Sequence, residues 1–162
     1  MNEREVKEII KLLKTKDLDL RPALQQVFEN KGILWATDGY VVFEICEVGD
    51  NLKNKCATLH DLRRWLVDHP KGTMFDDFRE LEDQVPDIDI LVHYGDYIDV
   101  QTSPKLDIKK LKQCCDFLYC TMFTIKVNSE NPNLYQIIPI NSKMNSLELA
   151  MDSKAYMMGL RG

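Results

Sequence analysis

Apolar residues at Val6, Ile9, Ile10 and Leu13 recur at intervals of three and four. That spacing puts them on one helical face and predicts an amphipathic helix over residues 3 to 14. Arg4, Lys7, Lys11 and Lys14 keep a similar spacing on the remaining surface, flanked by Glu3, Glu5 and Glu8. The row reads either as an ordinary solvated face or as a basic stripe. From Leu20 the pattern becomes that of extended chain. Pro22 has no N–H for the middle of a ladder and so opens a strand, "ALQQVFE", which runs to a Gly-containing turn at Asn30-Lys31-Gly32. "ILWAT" and "YVVFEI" follow as two more strands, joined at Asp38-Gly39, a dipeptide that accepts positive φ in tight hairpins.

The middle of the chain is less regular. "TLHDLRRWLVDHP" predicts a short helix with Leu59, Leu62, Trp65, Leu66 and His69 on one side, ended by Pro70 and Gly72. "MFDDFRELEDQVPDIDI" is acidic and aromatic, with room for a turn or one more helical turn before Pro86. "YIDVQT" predicts a strand. In the last third Asp107 is placed to cap "IKKLKQCCDFLY", with Ile108, Leu111, Cys115 and Leu118 as its buried face and Lys105, Lys109 and Lys112 elsewhere. "MFTIKV", "LYQIIPI", "SLELAM" and "AYMMGL" then follow as strand-like segments.

The chain therefore reads as an α+β domain in which two main helices pack on one face of a mostly antiparallel sheet. A helix-then-strands unit occurs twice within the single domain of residues 1–162: residues 1–50, then a connecting segment 51–95 with a short helix, then residues 96–162. Short echoes accompany the repeat. Pro22-Ala23-Leu24-Gln25-Gln26 resembles Pro132-Asn133-Leu134-Tyr135-Gln136, and Ala36-Thr37-Asp38-Gly39 resembles Ala150-Met151-Asp152-Ser153. Internal duplication and chance likeness of short strand sequences both account for them.

Composition narrows the function classes. No apolar run approaches the roughly 20 residues that span a bilayer, so membrane insertion is not expected. The opening "MNEREVKEIIKLLK" lacks the apolar core of an export signal, which points to the cytoplasm. Five cysteines, an odd number, fit reduced thiols better than a disulfide framework. A net charge of −5 argues against nonspecific nucleic-acid binding by the whole surface but leaves a local basic face open.

Candidate chemistry is sparse. Asp38 as a catalytic acid would need a second titratable group or a metal, and no motif positions one; the hairpin turn is the reading for Asp38 and Gly39. His60, His69 and His93 are scattered, and Cys56 and His60 form a lone pair, so no metal is expected. Adjacent Cys114 and Cys115 lack the spacing of a redox dithiol, and no Gly-rich phosphate loop exists. No cofactor and no enzymatic activity are expected. Phosphate contact through the two lysine-bearing helices remains open, since it needs only cations on a suitable surface.

The stretch "RPALQQVFENKGILWATDGYVVFEI" resembles the start of a domain of the bacterial DNA sliding clamp, the β subunit of the replicative polymerase III. In that family a helix is followed by an R-P-x-L strand, a hairpin, and a strand ending in A-T-D-G-(Y/H)-R-L. Arg21, Pro22, Leu24, Ala36, Thr37, Asp38, Gly39 and Tyr40 match, while Val41 stands where the clamp usually has Arg. "MFDDFRELEDQVP" is similar to the clamp's aromatic-Pro-Asp-aromatic segment, with Asp76 in place of the proline. "AYMMGLRG" is similar to its terminal M-P-M-R-L strand, with Gly159 in place of Pro.

Small clamp-like proteins of phages and mobile elements have this layout. The resemblance implies helices on the inner side of a ring, facing the backbone of duplex DNA, and nominates Arg4, Lys7, Lys11, Lys14, Lys105, Lys109 and Lys112 as DNA-binding positions. It also implies a polymerase or other replication protein as a partner. A clamp subunit strings three such domains together, so about six copies of this chain would close a homo-oligomeric ring of that type, with a dimer or a monomer as the alternatives. A protein-interaction module that keeps the clamp fold without DNA binding is the alternative.

Overall fold

Asn2 starts the first helix: its side chain accepts from Glu5 N (2.9 Å) while the Glu5 carboxylate accepts from Asn2 N, a reciprocal cap that satisfies two otherwise orphan donors. Helix α1 runs Glu3–Leu13 and buries Val6, Ile9, Leu12 and Leu13. Thr58 and Asp61 build the same box for α2 (Leu59–Asp68), and Asp87 caps α3 (Ile88–His93). Asp107 caps α4 (Ile108–Leu118) by accepting from Lys109 N (2.8 Å). The structure is a computed structural model and describes residues 1–14, 24–69, 73–142 and 153–160. Pro22, Pro70, Gly72 and the segment "SLELAM" lie outside the described residues, as do Ala150-Met151-Asp152.

The strands are β1 (Gln26–Asn30), β2 (Ile33–Thr37), β3 (Val41–Glu47), β4 (Lys55–Thr58), β5 (Arg79–Glu80), β6 (Tyr97–Asp99), β7 (Cys120–Asn128), β8 (Leu134–Ser142) and β9 (Lys154–Met158). They form one antiparallel sheet in the order β5-β4-β1-β2-β3-β9-β8-β7-β6. The two halves of the chain meet at its middle, where β3 pairs with β9 through Val42 opposite Tyr156 and Glu44 opposite Lys154. Outward from that seam, β2 and β8 take corresponding places, then β1 and β7, then β4 and β6. The units α1-β1-β2-β3 and α4-β7-β8-β9 thus occupy matching positions. The echo of residues 22–26 in 132–136 does not follow this correspondence: Gln26 opens β1, the first strand of its unit, whereas Gln136 lies in β8, the second strand of the other.

Alternation along the strands sorts side chains between two layers. Val27, Leu34, Ala36, Val41, Phe43, Ile45, Ala155 and Met157 join α1, α2 and α4 in the larger core. Phe28, Trp35 and Tyr156 join Ile88 and Val92 of α3 on the other face. Phe43 and Phe117 stack at 4.1 Å between ring centroids and fix α4 on β3. Burying one such ring contributes roughly 1.5–3 kcal/mol.

Three expectations need correction. The buried side of α4 is Cys114, Phe117 and Leu118, with Leu111 and Cys115 only partly covered; Ile108 is 79% exposed because it sits in the first turn, beyond the edge of the core. The connecting segment holds two strands as well as α2. Its second helix lies after Pro86, where Asp87 supplies a cap that residues before the proline lack.

Candidate functional site

Helices α1 and α4 lie in contact on the same sheet face. Arg4 Nη1 donates to Asp116 O (2.9 Å) and Phe117 O (2.8 Å), backbone carbonyls in the last turn of α4, and its guanidinium carbon sits 4.8 Å from the centre of the Tyr119 ring. Arg4 is therefore half-buried and committed to holding the two helices together. The other six nominated positions, Lys7, Lys11, Lys14, Lys105, Lys109 and Lys112, are all exposed.

Their cations are not bare. Lys7 pairs with Glu3 (2.7 Å), Lys11 with Glu8 (3.1 Å) and Lys112 with Asp116 (2.6 Å), each within its own helix. The Lys112 ammonium is held above its ordinary pKa by the Asp116 hydrogen bond first, and the charge of Glu8 on the neighbouring helix also reaches it. The polar surfaces of α1 and α4 thus carry charges of both signs. Lys14 and Lys109 make no ion pair with a described residue.

Asp38 has more than a turn to hold. Its Oδ1 accepts from Tyr40 N and Val41 N (both 2.8 Å), closing the β2–β3 turn in which Gly39 takes φ +92°. Its Oδ2 accepts from Lys110 Nζ on α4, and the Asp38 side chain is only 3% exposed. The turn is thereby pinned to the first turns of α4, a contact no local pattern announces. The departures from the clamp pattern also have physical reasons. Val41 is fully buried, where an arginine would lose its hydration. Gly159 donates its N–H to Asn133 O (2.8 Å), which a proline cannot do.

A second constellation lies on the opposite sheet face. His93 Nδ1 is 2.7 Å from Asp89 Oδ1, one helical turn earlier in α3. Its Nε2 faces Glu44 Oε1 (2.7 Å, off the ideal N–H direction) and Tyr156 Oη (3.2 Å). Glu44 is buried and also reaches Lys154 Nζ at 3.6 Å. The Glu44 carboxylate, aided by Asp89, raises the His93 pKa against the desolvation that lowers it. Burial raises the hydroxyl pKa of Tyr97 to about 12 and lifts that of Tyr156 as well. With Asp89 on its own helix and Glu44 on the sheet facing its two ring nitrogens, His93 acts as a clasp for α3. The sequence contains one signal for it, the Asp89-x3-His93 spacing, which on a helix makes the two neighbours.

No disulfide joins any of the five cysteines, and burial pushes Cys114 and Cys56 up in pKa and Cys115 up to about 12. No three His, Cys, Asp or Glu side chains among the described residues are grouped to hold a metal. No helix among them is long and apolar enough to cross a membrane. No protein family, curated protein or solved structure matches the chain.

Proposed function

We propose that this protein is a non-enzymatic, DNA-clamp-like accessory of replication or repair, of the phage or mobile-element kind, that contacts the backbone of duplex DNA through α1 and α4. One observation carries the reading: the two lysine-bearing helices lie side by side on one face of the sheet, tied by Arg4, with Lys7, Lys11, Lys14, Lys105, Lys109 and Lys112 open to solvent. Acidic charge collects elsewhere. Between Asp76 and Asp99 the chain has nine Asp or Glu and one Arg or Lys, so the helix strip is less negative than the chain's net charge suggests. Arg4 leaves the set of phosphate contacts and becomes a brace. A polymerase-type partner and a homo-oligomeric ring belong to the same proposal.

The test is duplex binding at low salt. Replacing Lys7, Lys11, Lys109 and Lys112 by Glu abolishes it, and replacing one of them by Gln lowers the salt slope by about 1. Light scattering with and without duplex DNA reads the oligomer. A second reading, an interaction module without DNA contact, is favoured by the ion pairs of Lys7, Lys11 and Lys112 with their own helices, which offset the cations that phosphate would need. Absence of binding at every salt concentration selects it.

A further inference from the structure

Helix α3 spans six residues, too short to be stable in isolation, and the fold fastens it at several points. Ile88 and Val92 are buried against the sheet. His93 is clasped by Glu44, Tyr97 Oη donates to Val92 O (2.6 Å), and Asn128 Nδ2 donates to Tyr94 O (2.9 Å). Lys31 holds the capping residue Asp87 at 2.7 Å. All this rigidity presents apolar side chains to water: Ile90 is 52% exposed, Leu91 61% and Tyr94 66%.

Charge indicates what covers them. At the C-terminal end of α3, Asp96 and Glu130 are exposed and make no ion pair with a described residue, and the Glu130 side chain packs on Gly95, next to Tyr94. Asp87, Asp89 and Glu44 are already engaged, so the uncompensated charge lies beside the tyrosine. An exposed aromatic next to two free carboxylates is suited to a cation carried by an apolar segment.

We propose that the outer face of α3 docks a basic amphipathic segment of a partner protein, whose apolar side chains cover Ile90, Leu91 and Tyr94 and whose Lys or Arg meets Asp96 and Glu130. The site lies on the face opposite α1 and α4 and does not depend on DNA contact. Its fixed backbone lowers the ordering cost of association.

The probe is a synthetic helical peptide of Leu and Lys, about a dozen residues long, titrated into the isotopically labelled full chain. Two controls have the same length: one with Glu for Lys, one with the Leu and Lys order scrambled to remove the apolar face. The expected result is saturable shifts of the backbone amides of residues 88–98, with α1 unmoved. Leu91→Ser combined with Tyr94→Ser weakens binding about tenfold or more. Asp96→Asn combined with Glu130→Gln, which leaves the buried side of α3 untouched, weakens it and flattens its salt dependence.

The proposal is overturned if the Leu/Lys peptide causes no shifts or shifts spread over the surface. It is equally overturned if either control binds as well, or if both double variants bind like the parent. Concentration-dependent shifts of α3 without peptide would assign the face to a second copy of this chain and overturn it too.

Discussion

Arg4 Nη1 reaches both Asp116 O and Phe117 O, so the first turn of α1 closes the last turn of α4. A cation at a helix C-terminus meets the negative end of the dipole, and here it adds a charged donor to Phe117 O and to Asp116 O, which also accepts from Tyr119 N.

Replacing Arg4 with Ala leaves those carbonyls without their charged donor and costs about 2 kcal/mol. Urea unfolding reads the loss as a lower midpoint at unchanged slope. Arg4→Lys recovers part of it, because the charge at the helix end returns. An unchanged midpoint would refute the bracing role.

Asp38→Asn keeps an acceptor for the β2–β3 turn but removes the charged partner of Lys110. The expected cost is roughly 2 kcal/mol. Lys110→Met removes the other partner, and the double variant is less destabilised than the sum of the two, because neither side then retains an unpaired charge. Additive losses would show that the pair is not coupled.

His93 has a raised pKa in the fold, so it binds its proton more tightly there than in the unfolded chain. Its stabilising contribution is fully present below the unfolded value near 6.5 and is lost as pH rises through the folded value. Midpoints measured from pH 6 upward should fall with pH in the parent and fall less in His93→Gln. The groups facing the ring are Glu44 and Tyr156 from the central strands, Asp89 from α3 and the Trp35 ring at 5.7 Å. Glu44→Gln should bring the His93 titration down in an NMR titration; a pKa that does not fall would contradict the clasp.

Gly159 has no room for a side chain: an added Cβ would come within 2.7 Å of Tyr135 Cε2 and 2.9 Å of Asn133 Oδ1. Gly159→Ala therefore costs about 1–3 kcal/mol of overpacking, and Gly159→Pro costs more because the bond to Asn133 O is lost as well. Thermal unfolding of the two variants should rank parent, Ala, Pro. Equal stability of all three would show that the terminal segment contributes nothing to the fold.

Local signals carried most of the elements. The three- and four-residue spacing of Val6, Ile9 and Leu13 marked α1, Asp107 marked the start of α4, and Lys31-Gly32 and Asp38-Gly39 marked the hairpin turns. Helix α3 escaped because six residues hold too few turns for a period to show, and its stability comes from His93, Tyr97 and Asn128 contacts made with distant strands. The buried side of α4 departs from the apolar period for a related reason. Ile108 fits the apolar period, but the sheet beneath α4 covers Cys114 and Phe117.

Of the candidate site, the lysine spacing on each helix was legible from order along the chain. That Arg4 is a brace was not, since its partners are 112 and 113 residues away. Sequence by itself determined the amphipathic helices, the hairpins and the α+β class, because these follow from interactions within a few residues. Only the tertiary structure decided that β3 and β9 join the two halves, that α1 and α4 share a face, and that Asp38 meets Lys110 and His93 meets Glu44. Those relationships depend on which surfaces are buried together, and burial is a property of the whole chain.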